Sequence, residues 1–173
     1  HAIRLNTSRM REETLREEAF RDPMTGALNR RGWQAAAGAL HKGDAPMAVC
    51  FFDLDNLKKI NDIHGHGEGD RLIVAFSKVI QENIRDTDIV ARLGGDEFMV
   101  VMKRMQSPEI ALKKCQEICN VFREAPIIER MPATASAGIV MWNAECSLED
   151  IVEQVDTALY HAKTTHDGQC VIL

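Results

Sequence analysis

A short stretch of the chain, ARLGGDEFMVV at residues 91–101, predicts a β-hairpin. Two apolar runs flank Gly94-Gly95, and glycines between such runs favour a hairpin because glycine adopts the positive φ angles of tight turns. Asp96 and Glu97 follow the bend directly. Adjacent acids gain nothing from packing beside buried strands. Their position raises the question of which ligand they serve.

The elements predicted around this hairpin indicate an α+β fold. Residues 47–52 (MAVCFF) form an unbroken apolar run, which is typical of a central strand buried on both faces. Further strands are predicted over 88–93, 97–103, 133–142 and the final CVIL, and helices over 30–40, 70–84, 107–124 and 147–163. The order β-α-β-β-α-β predicts an antiparallel-rich sheet with helices on one face.

Composition limits the classes of function. The 173 residues, 45% of them hydrophobic, suit one globular domain. A net charge of −5 argues against nucleic-acid binding, which needs a basic face, but a triphosphate can bind an acidic site through divalent cations. The five cysteines show no zinc-type spacing, so we expect reduced thiols and a cytoplasmic domain. No apolar run approaches the roughly 20 residues of a membrane span.

The first 21 residues differ from the rest of the chain. They are polar, with sparse apolar positions at helical spacing. Residues 1–21 are therefore interpreted as a linker or signalling helix from an upstream sensory region, with an ordinary packed N-terminal helix as the alternative. Residues 22–173 would form the globular domain.

Acidic residues are predicted to converge where two strands end. Asp53 and Asp55 leave the central strand on one face because side chains alternate along a strand. If the hairpin lies beside that strand, Asp53 and Asp96 would be roughly 5 Å apart. Like charges this close repel, and a hard cation such as Mg²⁺ would hold them ionised and bind phosphate oxygens. The alternative is that these acids, with Glu97, are solvated loop residues.

Asn61 and Asp70 are candidates for reading guanine. A carboxylate accepts from the N1–H and N2 amine of guanine, and an amide can both donate and accept. The alternative is that Asn61 and Asp70 cap successive helices. Lys58 and Lys163 lie close to these motifs and could contact phosphate, although exposed lysines are common.

Four segments together resemble the GGDEF-domain diguanylate cyclase family. They are GGDEF (94–98), DPMTGALNRR, FFDLDNLKKINDIHGHGEGD and ALYHAK, and they span residues 22 to about 168. The resemblance implies a ferredoxin-like, palm-type fold akin to adenylyl cyclase catalytic domains. It also implies condensation of two GTP molecules into cyclic di-GMP with release of pyrophosphate.

The resemblance implies roles at the matching positions. Mg²⁺, or Mn²⁺ in its place, would be bound by Asp53, Asp96 and the backbone carbonyl of Leu54. Asp96 or Glu97 would assist removal of the 3′-hydroxyl proton. The remaining positions would contact GTP, with guanine held by Asn61 and Asp70, the phosphates by Lys58 and Lys163, and the ligand approaching the backbone at Gly94 and Gly95.

The resemblance further implies regulation and assembly. RDTD at residues 85–88 matches a product-inhibition motif, in which Arg85 and Asp88 would bind cyclic di-GMP; a local turn is the alternative. Each domain holds one GTP, so catalysis would need a homodimer. The chain departs from the family pattern at Gly168-Gln169, where a basic residue is usual, and this departure favours a non-catalytic GTP or cyclic di-GMP sensor as the alternative function.

Overall fold

The computed structural model describes residues 2–165 and 168–173, so residues 166 and 167 of the segment carrying the Gly168-Gln169 departure lie outside the description. The strands are β1 (Met47–Leu54), β2 (Ile89–Gly94), β3 (Glu97–Met102), β4 (Ala135–Trp142) and β5 (Cys170–Ile172). The helices are α1 (Ala2–Phe20), α2 (Arg30–Gly38), α3 (Leu57–His64), α4 (His66–Glu82), α5 (Pro108–Arg123), α6 (Pro126–Arg130) and α7 (Leu148–Thr165).

The five strands form one sheet in the order β2-β3-β1-β4-β5. β1 pairs antiparallel with β3 and β4, β2 pairs antiparallel with β3, and β5 pairs parallel with β4. The first four strands and their helices follow the predicted β-α-β-β-α-β order, and β5 adds an edge. The predicted α+β, ferredoxin-like and palm-type class is confirmed.

Helices cover both faces of this sheet, whereas the sequence led us to expect them on one. On one face, α4 and α5 complete a cluster of phenylalanine rings with centroids 4.9–5.9 Å apart, formed by Phe52, Phe76, Phe98 and Phe122. On the other face, Trp33 of α2 and Leu159 of α7 belong to a second core cluster. β1 is apolar up to Asp53, so both of its faces must be covered from water.

The packing of α7 on β4 positions one end of the site. A Cβ added to Gly138 of β4 would lie 2.2 Å from the backbone nitrogen of Leu159. The helix backbone therefore rests directly on the strand, and only glycine permits this approach. Lys163 follows one turn after Leu159 and is carried to the end of β1 where Asp53 lies.

The glycine-rich segment GHGEGD is largely helical, which corrects the predicted helix start at residue 70. Gly65, at φ +90°, separates α3 from α4, and α4 already begins at His66. One residue in the left-handed region is enough for the break because glycine carries no Cβ penalty there. Neither Asn61 nor Asp70 is a helix cap, since both lie inside helices.

The N-terminal helix α1 has no buried residue, and Ile3, Leu5, Met10 and Leu15 are all at least 58% exposed. Only its end touches the domain, where Arg31 lies over the ring of Phe20 at 5.9 Å from the centroid. The apolar side chains of α1 therefore face solvent and not the core of the domain. Across the residues that the structure describes, every helix is too short or too polar to cross a bilayer.

Candidate active site

Arg92, a residue that the sequence analysis did not identify, stabilises the hairpin turn. Gly95, at φ +48°, makes the bend, and the side chain of Arg92 donates from Nε to the Gly95 carbonyl at 2.7 Å. The same guanidinium pairs with the Asp22 carboxylate at 3.2 Å. Asp22 also accepts from the backbone and hydroxyl of Thr25. The DPMTG segment (residues 22–26) thus holds, through Asp22 and Arg92, the turn that carries Asp96.

Asp96 and Glu97 both lie near Asp53, but the residue paired with Asp53 across the two strands is Glu97 and not Asp96. Glu97 is the residue directly opposite Asp53 across the β1–β3 ladder, and Asp96 sits one position earlier, within the turn. The ladder between β2 and β3 shifts register between Arg92 and Gly94. The Asp96 carboxyl nevertheless lies close enough to Asp53 to act on its pKa. The predicted convergence of the two side chains is therefore present.

Burial, and next the adjacent Asp96 carboxyl, raise the pKa of Asp53 to about 8. Lys163 opposes this shift, since its Nζ lies 3.1 Å from Asp53 Oδ2, but the opposition is incomplete. For Lys163 itself, burial disfavours the charge, yet Asp53 and the other nearby carboxylates raise its pKa. Without a second cation, Asp53 therefore retains a proton near neutral pH while Lys163 stays charged.

Asp55 is a structural residue of the site that the sequence analysis did not assign. It is only 3% exposed and accepts hydrogen bonds from the hydroxyls of Thr134 and Ser136 and from the N–H of Gly168. Lys163 Nζ lies 3.5 Å away. The signal that could have identified this cradle is the pair of hydroxyl residues in the apolar segment ATASAG, one of which leads into β4.

The residues present fit a divalent cation. Asp53 Oδ1 is buried and has no hydrogen-bond partner in the described part of the chain. A buried carboxylate oxygen without a donor is costly, and a hard cation is its natural ligand. The described residues hold no cluster of three or more His, Cys, Asp or Glu side chains suited to a metal. The donors predicted from the sequence are two carboxylates and the Leu54 carbonyl, and this carbonyl accepts a hydrogen bond from Lys163 Nζ at 3.2 Å.

Asn61 faces α4 at a position that depends on a glycine. Its Oδ1 is buried and unpaired among the described residues, and a Cβ added to Gly69 would lie 1.7 Å from it. Gly69 therefore makes room for the Asn61 amide, a role not foreseen from the sequence. Asp70 is the next residue along α4 and is exposed. The unpaired amide oxygen of Asn61 can accept a hydrogen bond from a polar ligand.

The remaining predicted site residues are placed as follows. Lys58 is exposed on α3, and a Cβ added to Gly94 would meet nothing within 4 Å, so the backbone there is open to a ligand. Arg85 and Asp88 contact each other at 3.4 Å. Asp88 also accepts from the backbone N–H of Arg85 and of Lys103, and Arg85 donates to the Lys103 carbonyl. The Arg85 side chain is 54% exposed and can reach a ligand, whereas the Asp88 side chain is only 3% exposed and serves the local turn.

The raised pKa of Asp53 predicts a pH-dependent cost to stability. The unfolded carboxyl titrates near 3.8, so Asp53 contributes nothing below that pH, and its destabilisation grows as the pH rises to about 8. Asp53→Asn, which removes the charge but also the ion pair with Lys163, should raise the free energy of unfolding by roughly 2–5 kcal/mol at pH 8 and negligibly at pH 4. Urea denaturation in chelator measures this.

The matched control is Asp156→Asn on the exposed surface of α7, which should leave the free energy of unfolding unchanged at both pH values. Equal or lower stability of Asp53→Asn at pH 8 would contradict the raised pKa.

Comparisons with known proteins identify the family of this chain. Residues 19–169 match the family model described as diguanylate cyclase, GGDEF domain. A probable diguanylate cyclase of Escherichia coli K12, DgcC, is 34% identical over 152 residues, which cover 83% of this chain but only 40% of that protein.

Two solved structures are similar over most of the chain. The active GGEEF domain of a diguanylate cyclase from Vibrio cholerae is 31% identical with a TM-score of 0.74, covering 83% of this chain and 96% of that one. The coiled coil and GGDEF domain of DgcB from Caulobacter crescentus, solved with c-di-GMP, shares the fold with a TM-score of 0.86 at 23% identity, covering 99% and 95%. The chain belongs to the GGDEF-domain diguanylate cyclase family.

Proposed function

We propose that this domain condenses two GTP molecules into cyclic di-GMP and releases two pyrophosphates. The observation that carries the proposal is the meeting of Asp53, Asp96 and Lys163 beside an open glycine turn. Such an arrangement places acceptors for a cation and a donor for phosphate at one point. The domain would work in the cytoplasm, where its described cysteines stay reduced.

The cation would be Mg²⁺, held by Asp53, Asp96 and the Leu54 carbonyl, with Mn²⁺ as a substitute. When bound, it would supply charge neutralisation for the phosphates. Burial, and next Asp96, raise the pKa of Asp53, and the positive charge of the cation would lower it again. The Asp53 carboxyl would then lose its proton. Lys163 would be freed from Asp53 to contact phosphate, and exposed Lys58 would contribute a second positive charge.

The proton of the attacking 3′-hydroxyl would be taken by a carboxylate of the hairpin. Asp96 and Glu97 are both half-buried at the start of β3, within the part of the site that the phosphates would reach. General-base assistance of this kind contributes about 10²- to 10⁴-fold to a rate. Gly94 and Gly95 would let the phosphates approach the backbone, because no side chain occupies that space.

Guanine would be selected by Asn61 and Asp70. The buried, unpaired Oδ1 of Asn61 would accept from the guanine, and the exposed Asp70 carboxylate would accept from its N–H donors. Adenine presents a different pattern of donors and would leave these acceptors unmatched.

Assembly and feedback complete the proposal. Two domains, each holding one GTP, would face each other as a homodimer so that each 3′-hydroxyl reaches the other α-phosphate. The exposed helix α1 (within residues 1–21) would connect residues 22–173 to an upstream sensory region and assist dimerisation.

Cyclic di-GMP would bind at Arg85 and Asp88, which line a cleft of about 400 Å³. The full-length protein is compatible with membrane attachment outside this domain.

Incubation of the protein with GTP and Mg²⁺ should yield cyclic di-GMP, measured by chromatography and mass. Asp96→Asn should lower the rate by about 100-fold or more, because it removes a cation ligand and a candidate base. Asp156→Asn, an exposed change on α7, is the control and should retain activity. Binding of GTP without any product would instead support the sensor alternative.

Dimeric catalysis predicts a dependence on protein concentration. Turnover per protein molecule should fall steeply as the protein is diluted through its monomer–dimer transition, because a monomer holds only one GTP. Sedimentation at the same concentrations locates the transition. A constant rate per molecule across it would rule out the homodimer requirement.

Gly69→Ala should impair GTP binding, because the new Cβ would displace the Asn61 amide. We expect KM for GTP to rise roughly 10-fold, which corresponds to the loss of one or two hydrogen bonds. Gly67→Ala in the same helix turn is the matched control, since its Cβ would meet nothing within 4 Å. Equal KM values for the two variants would place guanine elsewhere.

Arg85→Ala should weaken inhibition by cyclic di-GMP at least about 10-fold, because a bidentate guanidinium contact is lost. The basal rate should change little, since Arg85 lies outside the proposed catalytic residues. Arg130→Ala, an exposed change on α6, serves as the control. Unchanged inhibition in Arg85→Ala would remove the RDTD segment as the inhibitory site.

A further inference from the structure

Two cysteines lie side by side where α5 meets the edge strand β5. Cys119 Sγ and Cys170 Sγ are 3.8 Å apart. Cys170 opens β5 and pairs with Ala137 of β4, so its backbone is held in the sheet. Both thiols are free. A disulfide bond, with sulfurs about 2.05 Å apart, would require the sulfurs to approach by roughly 1.8 Å.

The pair opens to solvent through a cleft of about 280 Å³ that Cys119 and Cys170 line together with Arg123 and Gln169. The Arg123 guanidinium also reaches the neighbouring Gly168, where an added Cβ would lie 2.8 Å from it. A small polar oxidant can therefore enter a cleft that carries positive charge beside the sulfurs.

A second cysteine pair in the same core provides an internal contrast. Cys50 and Cys115 are closer, with sulfurs 3.5 Å apart, but both are completely buried. Oxidant has no route to them in the folded protein. The remaining cysteine, Cys146, is exposed. The chain thus holds a pair with one partly exposed member, a fully buried pair and an exposed single thiol.

The two thiols of this pair differ in exposure and in ionisation, since Cys170 is partly exposed and Cys119 is only 3% exposed. The pKa of Cys170 is lowered, first by the hydrogen bond from Cys119, against burial, and then by its contacts with the Ala137 backbone and Arg123. The pKa of Cys119 is raised, first by the same hydrogen bond and then by burial. A thiolate is the nucleophile in thiol oxidation, so Cys170 is the sulfur that reacts first and Cys119 the one that resolves the product.

We propose that Cys119 and Cys170 form a reversible dithiol–disulfide site that reacts with hydroperoxides. The Cys170 thiolate attacks one peroxide oxygen, the O–O bond breaks, and the released oxygen takes up a proton to leave as water or an alcohol. Cys170 becomes a sulfenic acid. The Cys119 sulfur then attacks the Cys170 sulfur, the S–S bond forms, and the hydroxyl leaves as water with the thiol proton. An external dithiol reductant restores both thiols.

The disulfide would join α5 to β5 next to the carboxylate cradle. Gly168, two residues before Cys170, donates its N–H to Asp55 at 2.8 Å. Peroxide reactivity is a property of the described thiols and does not depend on the proposed cyclase activity. Failure of one is therefore distinguishable from failure of the other.

The test treats the reduced, folded protein with one equivalent of hydrogen peroxide and maps the thiols by mass spectrometry after digestion without reductant. The expected product is a cross-link between the peptides that carry Cys119 and Cys170, lighter by two hydrogens and reversed by dithiothreitol. Cys50 and Cys115 should remain reduced. A cross-link between Cys50 and Cys115, or oxidation of Cys146 with no Cys119–Cys170 cross-link, would overturn the proposal.

Two variants resolve the order of reaction. Cys119→Ser should stop at the sulfenic acid of Cys170, which dimedone traps, and Cys170→Ser should abolish peroxide consumption by the pair. Cys146→Ser is the matched control and should give the wild-type cross-link. Dimedone labelling of Cys170 no faster than that of Cys146 would remove the assigned role of Cys170. The mapping of the wild-type protein stands alone if a variant fails to fold.

Discussion

The repulsion between the carboxyls of Asp53 and Asp96 is the constraint on which this site depends. Both lie at the end of the sheet, partly removed from water, where neighbouring like charges are costly. The protein meets that cost in part with Lys163, whose ammonium lies 3.1 Å from Asp53. Asp55 then holds Lys163 from the other side, supported by hydroxyl groups of Thr134 and Ser136. The strands, the turn and α7 all serve to keep these charges together.

Much of the fold could be predicted because its signals are local. The apolar run of β1 and the glycine bend each specify an element by their own residues, and both are present. The order of the elements then restricted the topology to a sheet with the hairpin beside β1. The prediction that helices cover one face of the sheet was wrong, although the unbroken apolar run of β1 already implied burial on both faces.

Only those parts of the site could be predicted in which a single residue indicates its role by its type and local position. Acids after a strand and after a glycine turn are visible in the sequence, so the meeting of Asp53 and Asp96 could be foreseen. Contacts between distant segments could not. Arg92 reaches back 70 positions to Asp22, and Gly69 matters only because Asn61 lies against it. Such pairs carry no periodicity, and their partners become apparent only once the helices and strands are packed.

The bare contact between Gly138 and the backbone of α7 has a mechanical consequence. At Gly138 no side chain separates the strand from the helix backbone, so this contact has little room to adjust. Lys163 stands one turn, about 6 Å, beyond Leu159 at that contact. A tilt of α7 about the Gly138 contact would therefore change the distance between the Lys163 ammonium and the carboxylates of the site.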